Sequence, residues 1–116
     1  LLLALGRFLL QLHERGFYHD DCKAGHILVL PNAPSSANQF FVIDLLGCRM
    51  LRTLTKYRRA KNLYQILRSF LPRKGNHGFT AAHKAVFLEA YGGSLTEAAM
   101  WSGWVERIGH MKGRRL

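Results

Sequence analysis

Acidic residues are few in this chain. Seven Asp and Glu stand against 17 Lys and Arg, a formal charge of +10 with neutral histidines, which favours partners carrying phosphates or other anions. Cysteine is nearly absent: Cys22 and Cys48 make no framework of disulfides or metal clusters and fit a reducing compartment. Three prolines, beside 11 glycines and 48% hydrophobic residues, exclude a collagen-like or disordered chain and describe one that packs a core. Long apolar runs are missing. Leu1 to Leu12 is too short to span a bilayer, is interrupted by Gly6 and Arg7, and has no small-residue cleavage site of a signal peptide, so it reads as a buried helix. A length of 116 residues suits one domain. The chain opens Leu1-Leu2-Leu3 without an initiating methionine and already inside an apolar run, which reads as a fragment.

What is present is a mainly helical pattern, an α+β chain with little β. Leu1, Leu2, Leu5, Phe8, Leu9 and Leu12 fall near a helical repeat that Gly16 closes, predicting a largely buried helix over residues 1 to 15. The stretch 17 to 26 has neither helical nor strand period and concentrates ionisable groups, so it reads as a loop. Two short β-type runs, 27 to 30 and 40 to 43, flank the turn formers of 31 to 38 and predict a hairpin, with Asp44 directly after its second strand. From Arg49 to Lys84 there are ten basic residues and no acid, and 59 to 70 carries Leu63, Ile66, Leu67 and Phe70 at helical spacing: an amphipathic basic helix. Pro72 to Gly78 reads as a linker. Thr80 is a candidate N-cap for a helix ending before Gly92 and Gly93, with Val86, Phe87 and Ala90 inward. Ser94-Leu95-Thr96-Glu97 has the capping-box pattern and opens a last helix bearing Met100, Trp101, Trp104 and Ile108, after which Lys112 to Arg115 frays.

The order of helix, His19-Asp20-Asp21-Cys22-Lys23-Ala24-Gly25-His26, strand, turn, strand and Asp44 resembles the C-terminal lobe of a protein-kinase-like fold. In that superfamily a loop of form H-x-D-x-K-x-x-N follows a buried helix, and a metal-binding aspartate follows the next hairpin. His26 stands where the asparagine would be, and this narrows the resemblance to the bacterial lipopolysaccharide core kinases, which phosphorylate Kdo or heptose sugars. Their pattern H-x-D-x-x-x-x-H-x-L followed by I-D-L is similar to His19-x-Asp21, His26-Ile27-Leu28 and Ile43-Asp44-Leu45. Arg59-Ala60-Lys61-Asn62-Leu63, Ser69 and Leu88-Glu89-Ala90-Tyr91 also resemble that family, so the likeness covers residues 10 to 91. It implies a kinase C-lobe fragment over 1 to 116, with a catalytic loop at 17 to 26, a metal-binding segment at 40 to 47, a helical region at 58 to 110 and no N-lobe.

The resemblance implies a phosphotransferase using ATP and Mg²⁺. Its work is to position an acceptor hydroxyl and to neutralise phosphate charge. Asp21 would accept the sugar hydroxyl's proton, and Lys23 would reach the phosphoryl oxygens as a point charge. Asp44 would hold Mg²⁺, with His26 carried over beside it at the cofactor, and His19 would hold the loop. Because histidine nitrogen is a poor donor to Mg²⁺, a structural role for His26 stays open. Four departures stand against the pattern: Asp20 replaces the common arginine and leaves no cation there, Gly47 is shifted by one residue, Asn62 replaces an aspartate and loses a charge, and no Gly-rich loop or strand lysine for ATP is present. The fragment alone is therefore expected to be inactive.

Other readings remain beside these. Asp21 with Lys23 could be a surface pair, Asp44 a turn residue, and the basic run a solvated face rather than one that meets lipid A phosphates or an anionic membrane surface. Trp101 and Trp104 read as core before membrane anchor, Cys22 and Cys48 as buried inert thiols, and His13, His77, His83 and His110 have no metal-ligand spacing. The function expected is phosphorylation of a lipopolysaccharide core or lipid A-linked sugar at the cytoplasmic side of the bacterial inner membrane. The alternatives are another small-molecule or protein kinase of this fold, or a non-catalytic basic module; nucleic acid is not the expected partner.

Overall fold

Leu5, Leu9 and His13 lie four residues apart, one stripe of a helix, and that stripe is the buried face of α1 (Leu2–Glu14). In the computed structural model, which describes residues 2–23, 26–30, 39–42, 45–70 and 80–113, this face packs on α3 (Ala81–Gly92). The two helices meet at Gly6. A Cβ there would sit 2.6 Å from the Phe87 carbonyl oxygen and 2.9 Å from the Ala90 Cβ, so the close approach needs glycine.

Gly16 ends α1 with φ 84°, and its carbonyl accepts from the Leu51 N–H at 2.8 Å. A Cβ at Gly16 would fall 1.9 Å from the Leu51 carbonyl oxygen. Both strain and collision oppose any side chain, so Gly16→Ala is expected to lower stability by more than about 2 kcal/mol. Urea unfolding of the two proteins measures this, and an unchanged midpoint would refute it.

The turn leads into β1 (Phe17–His19), which pairs antiparallel with β4 (Cys48–Met50) in the register Phe17↔Met50, Tyr18↔Arg49, His19↔Cys48. This corrects the expectation of a loop throughout 17 to 26. A three-residue strand shows no alternation, and its partner lies beyond the intervening hairpin, so no local signal marks it. The expected hairpin is there: β2 (Ile27–Leu30) pairs antiparallel with β3 (Gln39–Val42), the second strand beginning one residue earlier than anticipated. A 3-10 turn at Leu45–Gly47 follows. Residues 31–38, Ile43 and Asp44 lie outside the described residues, as do Pro72 to Gly78.

α2 (Lys56–Ser69) starts three residues before the apolar period because Thr55 caps it, its Oγ accepting from the Arg58 N–H at 3.2 Å. Ala60, Leu63, Ile66 and Leu67 are buried, each larger side chain contributing about 1.5–3 kcal/mol by leaving water. Thr80 caps α3 in a box with His83 in the place of the usual Glu or Gln: the His83 ring accepts from the Thr80 N–H at 3.0 Å. Val86, expected inward, is 43% exposed, and the buried face is Phe87, Leu88 and Tyr91. Apolar residues on several sides of this short helix hid which face the core would take. Ser94 caps α4 (Leu95–Met111), where Trp101, Val105 and Ile108 are buried. Trp101 sets its ring edge-on to Tyr91, centroids 5.3 Å apart, while Trp104 is half-buried with the Arg107 guanidinium 5.3 Å from its ring centre. The Trp101 core reading holds.

Candidate active site

The loop after β1 is built around the backbone of one residue, Asp21. His19 is buried, and its Nδ1 accepts from the Asp21 N–H at 3.0 Å; the His26 Nδ1 lies 2.8 Å from the Asp21 carbonyl oxygen. Because a carbonyl only accepts, His26 carries a proton on Nδ1, whereas His19 leaves Nδ1 bare. The two rings stack, centroids 5.1 Å apart at 24°. Lys23 N–H also donates to the Asp21 carbonyl at 3.0 Å, and His26 N–H to the Lys23 carbonyl at 2.9 Å. The Asp21 backbone is thus held by a histidine on each side, while its carboxylate, 54% exposed, faces solvent with the Lys23 Nζ at 3.2 Å. An exposed pair of this kind contributes at most about 1 kcal/mol, so an arriving substrate can rearrange it at little cost. His19, Asp21, Lys23 and His26 therefore share one short loop. Asp44 lies outside the described residues.

Asp20 lies beside this group. Its carboxylate takes the Arg49 guanidinium in a fork at 3.0 and 3.1 Å, an ion pair that joins the loop to β4. The Asp20 N–H donates to the Gly47 carbonyl at 2.9 Å, which ties the loop to the 3-10 turn.

Beneath the loop, α2 presents two amides. Asn62 is buried; its Nδ2 donates to the His19 carbonyl at 2.6 Å and to the Gln65 Oε1 at 3.1 Å, and its Oδ1 faces the His13 Nε2 at 3.0 Å. Asn62 lacks the charge of an aspartate, and its neutral amide bonds the loop all the same. As Oδ1 can only accept, His13 donates from Nε2, and its Nδ1 accepts from the Tyr91 hydroxyl at 2.6 Å. Burial drives the His13 pKa down to about 4, the Asn62 bond partly opposing it and the charge of Arg59 adding to it. Burial likewise raises the Tyr91 phenol above its ordinary value.

Cys22 is buried and its thiol is pushed up to about 12, first by burial and then by Cys48 and Asp21, which fits the inert role expected of it. Cys48 is half-buried rather than buried. Sequence reasoning missed His13, Gln65 and Tyr91. A histidine on the apolar stripe of α1 and two amides one turn apart on α2 were the signals available.

Among the described residues no three His, Cys, Asp or Glu side chains gather to hold a metal ion. The Asp20 and Asp21 carboxylates each lie against a cation. These groups alone do not fit a Mg²⁺ cage, which calls for several oxygen donors.

The model of the lipopolysaccharide kinase (Kdo/WaaP) family matches residues 1–91, most of the chain and the whole of the loop just described. The chain belongs to the lipopolysaccharide kinase (Kdo/WaaP) family. A solved structure, described as WaaP in complex with acyl carrier protein, is similar to it at 27% identity and a TM-score of 0.72, covering 95% of this chain and 47% of that one. The chain spans about half the length of that neighbour. No curated protein matches. The Kdo/WaaP chain thus has the helical-lobe architecture of a protein-kinase-like fold, mostly α with small antiparallel pairs, as the loop motif implied. None of its described helices is long and apolar enough to cross a membrane.

Proposed function

We propose that this chain carries the catalytic loop of an ATP-dependent kinase that phosphorylates a sugar of the lipopolysaccharide core. The observation that supports it most is the Asp21 peptide, fixed by His19 and His26 while its carboxylate is left open to solvent. A general base needs that combination: a fixed origin, and a carboxylate free to meet the acceptor hydroxyl. Lys23 would leave Asp21 for the transferring phosphoryl oxygens, and His19 would hold the loop without touching substrate. His26 would order the cofactor side through the loop. Asp44, by the family resemblance, would hold the Mg²⁺ that neutralises nucleotide phosphates. The +10 charge suits an anionic sugar-lipid and the anionic inner face of the bacterial inner membrane.

The Gly-rich loop and strand lysine that hold ATP in kinases have no counterpart in these 116 residues, so the assay needs the full-length protein. Given ATP labelled at the γ-phosphate and lipopolysaccharide with an unphosphorylated core, that protein should label the lipopolysaccharide. Label appearing only on an added protein substrate would favour a protein kinase instead. No transfer, with binding to nucleic acid that falls steeply with salt, would favour a non-catalytic basic module.

A further inference from the structure

Gln65 has no place in the catalytic motif, yet its side chain reaches both flanks of Asp21. Its Nε2 donates to the Asp20 carbonyl at 2.9 Å, and its Oε1 accepts from the Cys22 N–H at 3.0 Å. The same Oε1 takes the Asn62 Nδ2 at 3.1 Å, and Asn62 in turn holds the His19 carbonyl. Two amides one turn apart on α2 therefore bond the carbonyls of residues 19 and 20 and the N–H of residue 22, while the N–H and carbonyl of Asp21 between them go to the histidines.

We propose that Gln65 is a positioning residue for phosphoryl transfer: it clamps the loop on each side of Asp21 and so sets where the carboxylate stands. The proposal rests on the kinase reading above. An amide is needed at 65 because the position faces an acceptor and two donors at once. Glutamate would turn lone pairs toward the Asp20 carbonyl, and methionine would leave both loop groups without their bond. The orientation of the clamp is set from further back. Tyr91 on α3 orders His13, His13 donates to Asn62 Oδ1, and Asn62 is thereby turned with its NH₂ toward Gln65, so α1 and α3 also bear on the loop.

The test is Gln65→Met in the full-length protein, with Gln65→Glu beside it. The expected result is a fall in kcat of about 10²-fold with KM for ATP nearly unchanged, the signature of a misplaced group rather than lost binding. In hydrogen exchange, the Cys22 amide should open several-fold faster in Gln65→Met and stay closer to wild type in Gln65→Glu, which keeps the acceptor; amides of α2 and α4 should keep their protection. An unchanged kcat, or a loss of protection spread evenly over the core, would overturn the positioning role. If the wild-type protein transfers no phosphate but the Cys22 amide responds as stated, the kinase reading falls and the clamp stands. If that amide does not respond, the clamp falls whatever the activity.

Discussion

Asp21→Ala in the full-length protein is expected to cut phosphoryl transfer by about 10²- to 10⁴-fold, the range that general-base help supplies, and to leave the unfolding midpoint where it is. The two halves of that result come from different atoms of one residue. The fold uses the Asp21 backbone, whose N–H and carbonyl go to His19 and His26 and survive the substitution. The proposed chemistry would use the carboxylate, which is half-exposed and meets only the Lys23 ammonium among the ion pairs described. Asp21→Asn sharpens the point, since it keeps the shape and can no longer take a proton. It should be nearly as slow as alanine. Steady-state rates against lipopolysaccharide, with thermal melts of the same samples, measure both halves. Wild-type turnover in Asp21→Ala would end the assignment of Asp21 as base, and a collapsed melt would mean that the carboxylate holds the fold.

Local patterns carried much of the fold into view. The stripe of α1, the β2–β3 hairpin, the basic helix α2 and the caps at Thr80 and Ser94 each depend on residues within one or two turns of each other, and each was legible. The His19-to-His26 motif was visible for the same reason, since its residues lie within one short stretch. What stayed hidden depends on partners far apart in sequence. β1 exists because Cys48–Met50 returns to it, and the Arg49 fork on Asp20 follows from that pairing. His13, Asn62 and Tyr91 come from three helices and meet only after those helices have packed. Taken singly, each read as an ordinary residue: a histidine without ligand spacing, an asparagine that lacked a charge, a tyrosine in a family-like tetrapeptide. A buried polar side chain demands a partner, and only the packed core says which one it finds.

The same buried network makes the protein sensitive to acid. His13 is 1% exposed and donates to Asn62 while accepting from Tyr91, so both ring nitrogens are satisfied only when the imidazole is neutral. A second ring proton would aim at the Tyr91 hydroxyl, which already donates there, with the Arg59 charge nearby. Burial first, and then the Arg59 charge, lower the His13 pKa on folding from 6.5 to about 4 against the opposing Asn62 bond. Between those values the unfolded chain binds the proton and the folded one does not, so stability must rise with pH through this window. The contribution is fully present above about 6.5 and is lost as the pH falls through 4. A shift of that size corresponds to about 3 kcal/mol, a large part of the 5–15 kcal/mol that holds a typical domain. Urea unfolding at a series of pH values from 7 down to 4 should show this loss in wild type. His13→Gln, whose amide can bond Asn62 and Tyr91 without titrating, should be less stable at pH 7 and lose less on acidification, so that the two curves converge toward low pH. Parallel curves would show that His13 is not the group through which acid enters the core, and the neutral network beneath the Asp21 loop would have to be redrawn.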